Sequence, residues 1–543
     1  MAITLTELKA ASSDALLAIV DRRHPEYADN LDHWRFLEAT HDGGRSWFDA
    51  NLWRYHKEGL REFRERKKRA YRFPHTREVV NLVNKYVLKG DIARSADAPD
   101  KIKRFWKNAT LMKRPVDTLM DTISRKSSIF GRVYVVVDNN FPAETKTVAE
   151  EKASKGRVYA YLVSPIDALD FADDEDGELS WFLLAETKRD DVSPLASGKV
   201  ATQFRIWTPE FYAVITVAKN EAGDRIAAVG ENAEHKLGAV PVVPVDHNPS
   251  EELYSNKGLI DDVAYMDRGA TNYLSNLDAI IQDQTFSQLA IPYQGLLESD
   301  NDDEGKKGTQ KQMYEMGTKR VFAYNAEGGS APEFLSPDPR QAGIIITVIS
   351  KIIDEIYHSI GMAGERTKSD NSVGIDNSSG VAKAYDFERL NAMLVAKAMA
   401  LAAAENSINR LVMGWWGTLE ELEDCKEYVT YPTTFDVRNL ADDMDNAQRL
   451  AVMNAPKALR KIQMKKLAGK MYPQVSETDK KAIEADIDGD WLAEPDPAEL
   501  MPGGPAGRPT APKPGRLPGQ NGSQGQNNKG SVKADDKAKE SGK

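Results

Sequence analysis

Residues 258–288 read GLIDDVAYMDRGATNYLSNLDAIIQDQTFSQ, and residues 336–361 read SPDPRQAGIIITVISKIIDEIYHSIG. In the first stretch Val263, Met266, Ala270, Tyr273, Leu277 and Ile280 recur at spacings of three and four. That narrow apolar seam suits a helix lying lengthwise on a partner helix. The second stretch opens with a start signal: Asp338 is placed to cap the first free amides and Pro339 suits the first helical position. Its apolar stripe is Ile345, Ile349, Ile352, Ile353, Ile356 and Ile360, with Lys351, Asp354, Glu355 and His358 on the other side. Gly361 fits the position just past the helix end. At 1.5 Å per residue, helices of roughly 29 and 23 residues would span about 43 and 35 Å. Both are longer than an ordinary globular helix.

Working outward, the insert between these helices has different chemistry. Leu289–Pro292 and Arg320–Tyr324 look like strands flanking the polar run 298–312 and a helix-like piece at Met313-Tyr314. So small a module buries little by itself. After the second helix comes a polar loop, 363–379, holding Arg366, Lys368, Ser369, Asn371 and Ser372, with Val373 and Ile375 almost its only apolar residues. A long alanine-rich helix is expected over 381–416, closed by Gly414-Trp415-Trp416-Gly417. Helical patterns continue at 436–454, 457–468 and 476–486. Past about Trp491, proline, glycine, asparagine and lysine dominate, and such a tail cannot bury enough surface to fold.

Upstream, residues 1–70 read as mostly helical, with Trp34, Trp47, Phe48, Trp53 and Tyr55 scattered through them. The basic segment Arg61, Arg64, Arg66, Lys67, Lys68, Arg69 and Arg72 reads either as a phosphate-facing patch or as a solvated helix face with local ion pairs. The interleaved Glu62 and Glu65 favour the second reading. Residues 77–88 form an amphipathic helix, and 99–130 look helical up to Gly131. There the period changes to that of strands: 133–137, 158–163, 181–186, 203–207, 213–218 and 240–245, with a turn at Thr208-Pro209-Glu210. The fold class expected is therefore α+β.

The 543 residues are enough for several cores, and the 41% hydrophobic and 29% charged composition predicts that most of the chain folds. A net charge of −11 argues against a surface that grips nucleic acid everywhere. Cys425 is the single cysteine, so neither an intrachain disulfide nor a cysteine zinc site is expected. Glu7, Lys9 and Asp14 interrupt the N-terminus as a secretory signal, and Lys397 breaks the most apolar run, 393–404, ahead of Glu405. No phosphate-binding GxxxxGK[ST] loop, HExxH or GxSxG occurs. The eight histidines show no metal-ligand spacing. Asp173-Asp174-Glu175-Asp176 offers clustered carboxylates for Mg²⁺ or Ca²⁺, but without alternating ligand spacing a solvated turn suits it better.

Two long helices around a small insert, then a polar loop and a helix opening on Ser379-Gly380-Val381-Ala382, resemble the portal proteins of tailed double-stranded DNA bacteriophages. The resemblance spans roughly residues 75–490 and lies in the order of elements, with Ser164-Pro165-Ile166-Asp167 and the Asn248-Pro249 lead-in accompanying it. Beyond a helical region read from the residues over 1–75, it implies an α+β wing over 76–257, and stem helices over 258–288 and 338–361 around a clip at 289–337. It further implies a tunnel loop at 362–380, a long helix at 381–416 and a helical crown at 417–490, with the tail at 491–543 read as disordered from its composition. By the same resemblance, about twelve identical subunits close a ring at one capsid vertex of the virion, assembled in the host cytoplasm, through which DNA is packaged and ejected. The implied partners are passing double-stranded DNA, the terminase large subunit, a head-completion or tail adaptor protein, and the major capsid and scaffold proteins. No membrane, cofactor, metal or catalytic residue is implied. Arg366, Lys368, Ser369, Asn371 and Ser372 would face the DNA, and a negative wall would keep phosphates from sticking. The alternatives are a metal-dependent DNA-processing enzyme using 173–176, or another minor virion component; the strand-rich 133–245 opposes an elongated scaffold.

Overall fold

The structure is a computed structural model, and it describes residues 3–56, 58–90, 92–141, 156–191, 193–235, 237–251, 254–285, 288–292, 321–324, 333–335, 338–361, 380–416, 427–433, 435, 440–471 and 477–489. The chain divides into two units, Met1–Asp436 and Val437–Lys543. Mixed helix and strand in the first unit make the class α+β.

The larger unit starts with five helices: α1 (Leu5–Ala10), α2 (Ser13–Val20), α3 (Pro25–Asp42), α4 (Arg45–Asn51) and α5 (Leu60–Arg69). Helix α6 (His75–Lys89) buries Val79, Val80, Val83 and Val87, a stripe at helical spacing. Strand β1 (Ala93–Arg94) separates it from α7 (Asp100–Lys107) and α8 (Val116–Phe130). The helical stretch expected over 99–130 is thus two helices. Between them Ala109 donates its amide to the Arg114 carbonyl, Lys113 takes φ +60° and Pro115 leads into α8. Gly131 then turns the chain directly into a strand. Its φ is +83°, and a Cβ there would lie 1.8 Å from the Asn256 carbonyl oxygen, so only glycine fits.

Strand β2 (Arg132–Asn139) is buried at every position but the last. It forms the centre of an antiparallel sheet between β3 (Val158–Val163) and β9 (Val242–Asp246), with Tyr134 opposite both Val163 and Pro244. A five-stranded antiparallel meander stands beside it: β4 (Ala168–Asp173), β5 (Leu179–Arg189), β6 (Val200–Trp207), β7 (Phe211–Lys219) and β8 (Arg225–Glu234). All six strands expected over 133–245 occur. Strands β4 and β8 were not expected, and β8 shows why. Its RIAAVGENAE has low strand propensity; pairing with β7 and the Ala227 amide donated to Ser13 Oγ hold it in place.

Three long helices complete this unit: α9 (Val263–Thr285), α10 (Pro339–Ser359) and α11 (Gly380–Gly414). Helix α9 begins five residues later than its sequence suggested, whereas Asp338 caps α10 through the Arg340 amide and Gly361 follows its end at φ +74°. Strands β10 (Gln288–Pro292), β11 (Val321–Tyr324) and β12 (Glu333–Leu335) form a small sheet in the order β11-β10-β12. The third of these was not legible from propensity. A two-residue strand, β13 (Val429–Thr430), pairs antiparallel with β1. In the smaller unit, α12 (Leu440–Val452), α13 (Lys457–Met471) and α14 (Glu477–Asp488) follow one another, with Lys465 paired to Asp488 at 2.6 Å.

Candidate functional site: a helix hairpin held by buried charge

Helices α9 and α10 form an antiparallel hairpin. Strand β10 follows α9, strand β12 precedes α10, and the two strands pair antiparallel with Gln288 opposite Leu335, so the 285 and 339 ends meet. Val263, Ala270 and Leu277 are buried on α9, as are Ile349, Ile353 and Ile356 on α10, with Ile360 just beyond. Met266, Ile280, Ile345 and Ile352 are half-buried. Tyr273, expected in the seam, is 42% exposed; Leu274 occupies the buried position at 7%. The cause is a third neighbour that the seam pattern does not include. The N-terminal segment grips α9 through Asp267, Asn272, Ser275 and Asp278, which turns the buried arc toward 274.

That grip consists of buried charge. Asp267 Oδ2 accepts from the Thr76 amide at 3.2 Å, Thr76 Oγ1 at 2.9 Å and Arg72 Nη2 at 3.1 Å. Arg72 also donates to the Thr40 carbonyl at 2.6 Å and lies 4.5 Å over the Trp47 ring. Burial pulls the Arg72 pKa below the usual arginine value, and Asp267 opposes that pull. Farther along, Arg66 meets both Glu58 oxygens at 2.8 Å and reaches Ser275 Oγ at 2.9 Å. Arg69 meets Asp278 at 3.5 Å. The solvated-face reading of the basic segment is therefore corrected for Arg66 and Arg72, which are gripping residues, while Lys68 does pair locally with Glu65 at 3.0 Å. On α10, Tyr357 is buried and its hydroxyl donates to Glu78 at 2.7 Å.

The outer half of the hairpin is different. Ile281 is 49% exposed, Ile344 64% and Ile346 52%. Fully burying one such side chain is worth about 1.5–3 kcal/mol.

Helix α11 is fastened by polar side chains that its alanine-rich sequence hides. Lys397 is fully buried; its ammonium donates to the Ser124 carbonyl at 2.7 Å, to Ser128 Oγ, and to His247 Nδ1 at 3.1 Å. Burial pushes its pKa down to about 7. Burial, reinforced by the Lys397 charge, holds His247 well below the usual histidine value, so a neutral imidazole accepts the bond. Two turns on, the fully buried Glu405 takes Arg94 at 2.7 Å and the Tyr431 hydroxyl at 2.8 Å. Asn406 Oδ1 accepts from the Tyr428 and Val429 amides at 3.2 and 3.1 Å, and its Nδ2 returns a bond to the Val429 carbonyl at 3.0 Å. In sequence Lys397 and Glu405 read only as breaks in an apolar run. The signal that could have found them is that they are the only two charges, one of each sign, in the alanine-rich stretch 390–409 of the helix.

Arg366, Lys368, Ser369, Asn371 and Ser372 lie outside the described residues, as do residues 491–543 and most of 289–337. At 173–176, Asp174 spends Oδ1 on its own turn, accepting from the Asp176 and Glu178 amides at 2.9 Å each. Among the described residues no three His, Cys, Asp or Glu side chains converge as a metal site, and no helix is long and apolar enough to cross a membrane.

No family model and no curated protein matches this chain. Two solved structures similar to it are chains of gene transfer agent particles. One, titled as the virion of a native gene transfer agent particle, is 12% identical with a TM-score of 0.38 and covers 76% of this chain and 90% of its own. Another, titled as the neck of an empty gene transfer agent particle computed with C6 symmetry, is 11% identical with a TM-score of 0.35 and the same coverage.

Proposed function

We propose that this chain is a structural subunit of a phage-type particle, and specifically a portal: one of about twelve copies in a ring that conducts double-stranded DNA. The observation that carries the reading is the outer half of the helix hairpin, where Ile281, Ile344 and Ile346 stand exposed while the inner half is locked by buried charge. A head-to-tail cyclic interface covers the same side of every copy and closes on itself. In this reading the hairpins surround a channel, and the loop with Arg366, Lys368, Ser369, Asn371 and Ser372 meets the passing DNA. The small sheet region docks the terminase large subunit and later a tail adaptor, within a vertex of major capsid and scaffold proteins. The chain works as a conduit, without cofactor or catalysis, and its −11 charge keeps DNA from adhering.

Negative-stain electron microscopy with native mass spectrometry tests the reading. Rings with a central hole are expected, and Ile344→Ser with Ile346→Ser should reduce them to smaller species while leaving the monomer folded. A defined small oligomer without a channel overturns the proposal.

A further inference from the structure

We propose that a cavity beside α5 is a docking site for a short acidic protein segment led by an apolar residue. The cavity is about 740 Å³, a size that takes several side chains. Five cations line it, Arg45, Arg61, Arg64, Lys67 and Lys68, against the carboxylates of Asp49 and Glu65, a net +3 within a chain of −11.

These cations do different things. Lys67 is paired with Asp49 at 2.8 Å and Lys68 with Glu65 at 3.0 Å. Arg45 donates to the Ala70 carbonyl at 3.0 Å, the Lys67 carbonyl at 2.9 Å and the Lys68 carbonyl, tying the end of α5 to α4. The wall is thus held in place before anything binds. The side chains of Arg61 and Arg64 are exposed and, among the described residues, take part in no hydrogen bond or close ion pair. They stand three residues apart on one helix, so their planar forks present side by side, the geometry that grips carboxylates bidentately.

The apolar lining decides between an acidic peptide and nucleic acid. Phe48 is 7% exposed and carries Arg45 5.3 Å over its ring, while Leu60 stands 59% exposed at the rim. A phosphodiester backbone brings nothing to cover Leu60, whereas a leucine side chain does. A duplex also carries a charge every ~1.7 Å and would reach beyond the cavity onto a chain that is otherwise acidic. A short segment meets only the local +3. The surface does not depend on the ring reading.

The sequence 296–304, LLESDNDDE, has the required chemistry and serves as the probe: two leucines, then five carboxylates in seven residues. The full-length protein would be titrated with this peptide carrying a fluorophore, and separately with a short labelled DNA duplex, followed by anisotropy. Expected is saturable peptide binding that weakens about tenfold or more, roughly 1.4 kcal/mol, in Arg61→Glu with Arg64→Glu, and that also weakens when both peptide leucines become serine. Arg61→Gln with Arg64→Gln, which adds no repulsion, should weaken binding less, and thermal melts of each variant check that the fold is kept. Absence of peptide binding, or binding indifferent to both arginine pairs, overturns the proposal. Duplex binding that is tighter and lost in the same variants overturns it in favour of a nucleic-acid site.

Discussion

Replacing Lys397 by methionine makes the sharpest test of the buried polar framework. The folded chain releases the Lys397 proton near pH 7 and the unfolded chain near 10.5. Between those values the unfolded state holds more protons, so this group makes stability rise with pH. Its cost stands in full below pH 7 and is gone above 10.5. The whole difference is about 5 kcal/mol, and roughly half of it is recovered between pH 6 and pH 9. Methionine removes the buried charge but leaves the Ser124 carbonyl, Ser128 Oγ and His247 Nδ1 without this donor, at about 1 kcal/mol each. Lys397→Met should therefore be about 2 kcal/mol more stable than the parent at pH 6 and about 1 kcal/mol less stable at pH 9. Urea unfolding of both proteins at the two pH values, followed by tryptophan fluorescence, reads the crossover. Groups remote from Lys397 cancel in the difference, and relief of His247 from the Lys397 charge works in the same direction, favouring the variant at low pH. Parallel profiles, or a variant less stable at both pH values, would refute the reasoning and mean that water or a carboxylate reaches the ammonium.

Asp267→Asn should cost about 3–5 kcal/mol by leaving Arg72 buried and uncompensated, and Arg72→Met in the same chain should restore much of it; urea unfolding reads both. Leu274→Ala should cost about 2–5 kcal/mol and Tyr273→Ala less than about 1 kcal/mol in the free subunit, a contrast that thermal melts check and that reverses if Tyr273 lies in the seam. Gly131→Ala should destabilise by more than about 2 kcal/mol, because strain at φ +83° adds to the contact with the Asn256 carbonyl; soluble yield and melting temperature report it.

Much of this architecture was legible in the sequence because local rules govern it. The hairpin helices announced themselves through apolar spacing and through the Asp338 cap. Six strands of the two larger sheets announced themselves through valine-rich and aromatic runs. Where local chemistry was weak the reading failed, as at β8, whose residues become a strand only because β7 offers a ladder.

By itself the sequence determined the succession of helical and strand-rich regions, the class α+β and the long paired helices, since periodicity and capping act within a few residues. Tertiary structure alone decided which polar groups went inside. Arg72 finds Asp267 195 residues away, and Lys397 finds the Ser124 carbonyl 273 residues away. It also decided that Leu274 rather than Tyr273 faces the core, by adding a third neighbour to a two-helix seam. A charge is buried only where distant partners replace its water, and no local pattern records where those partners will be.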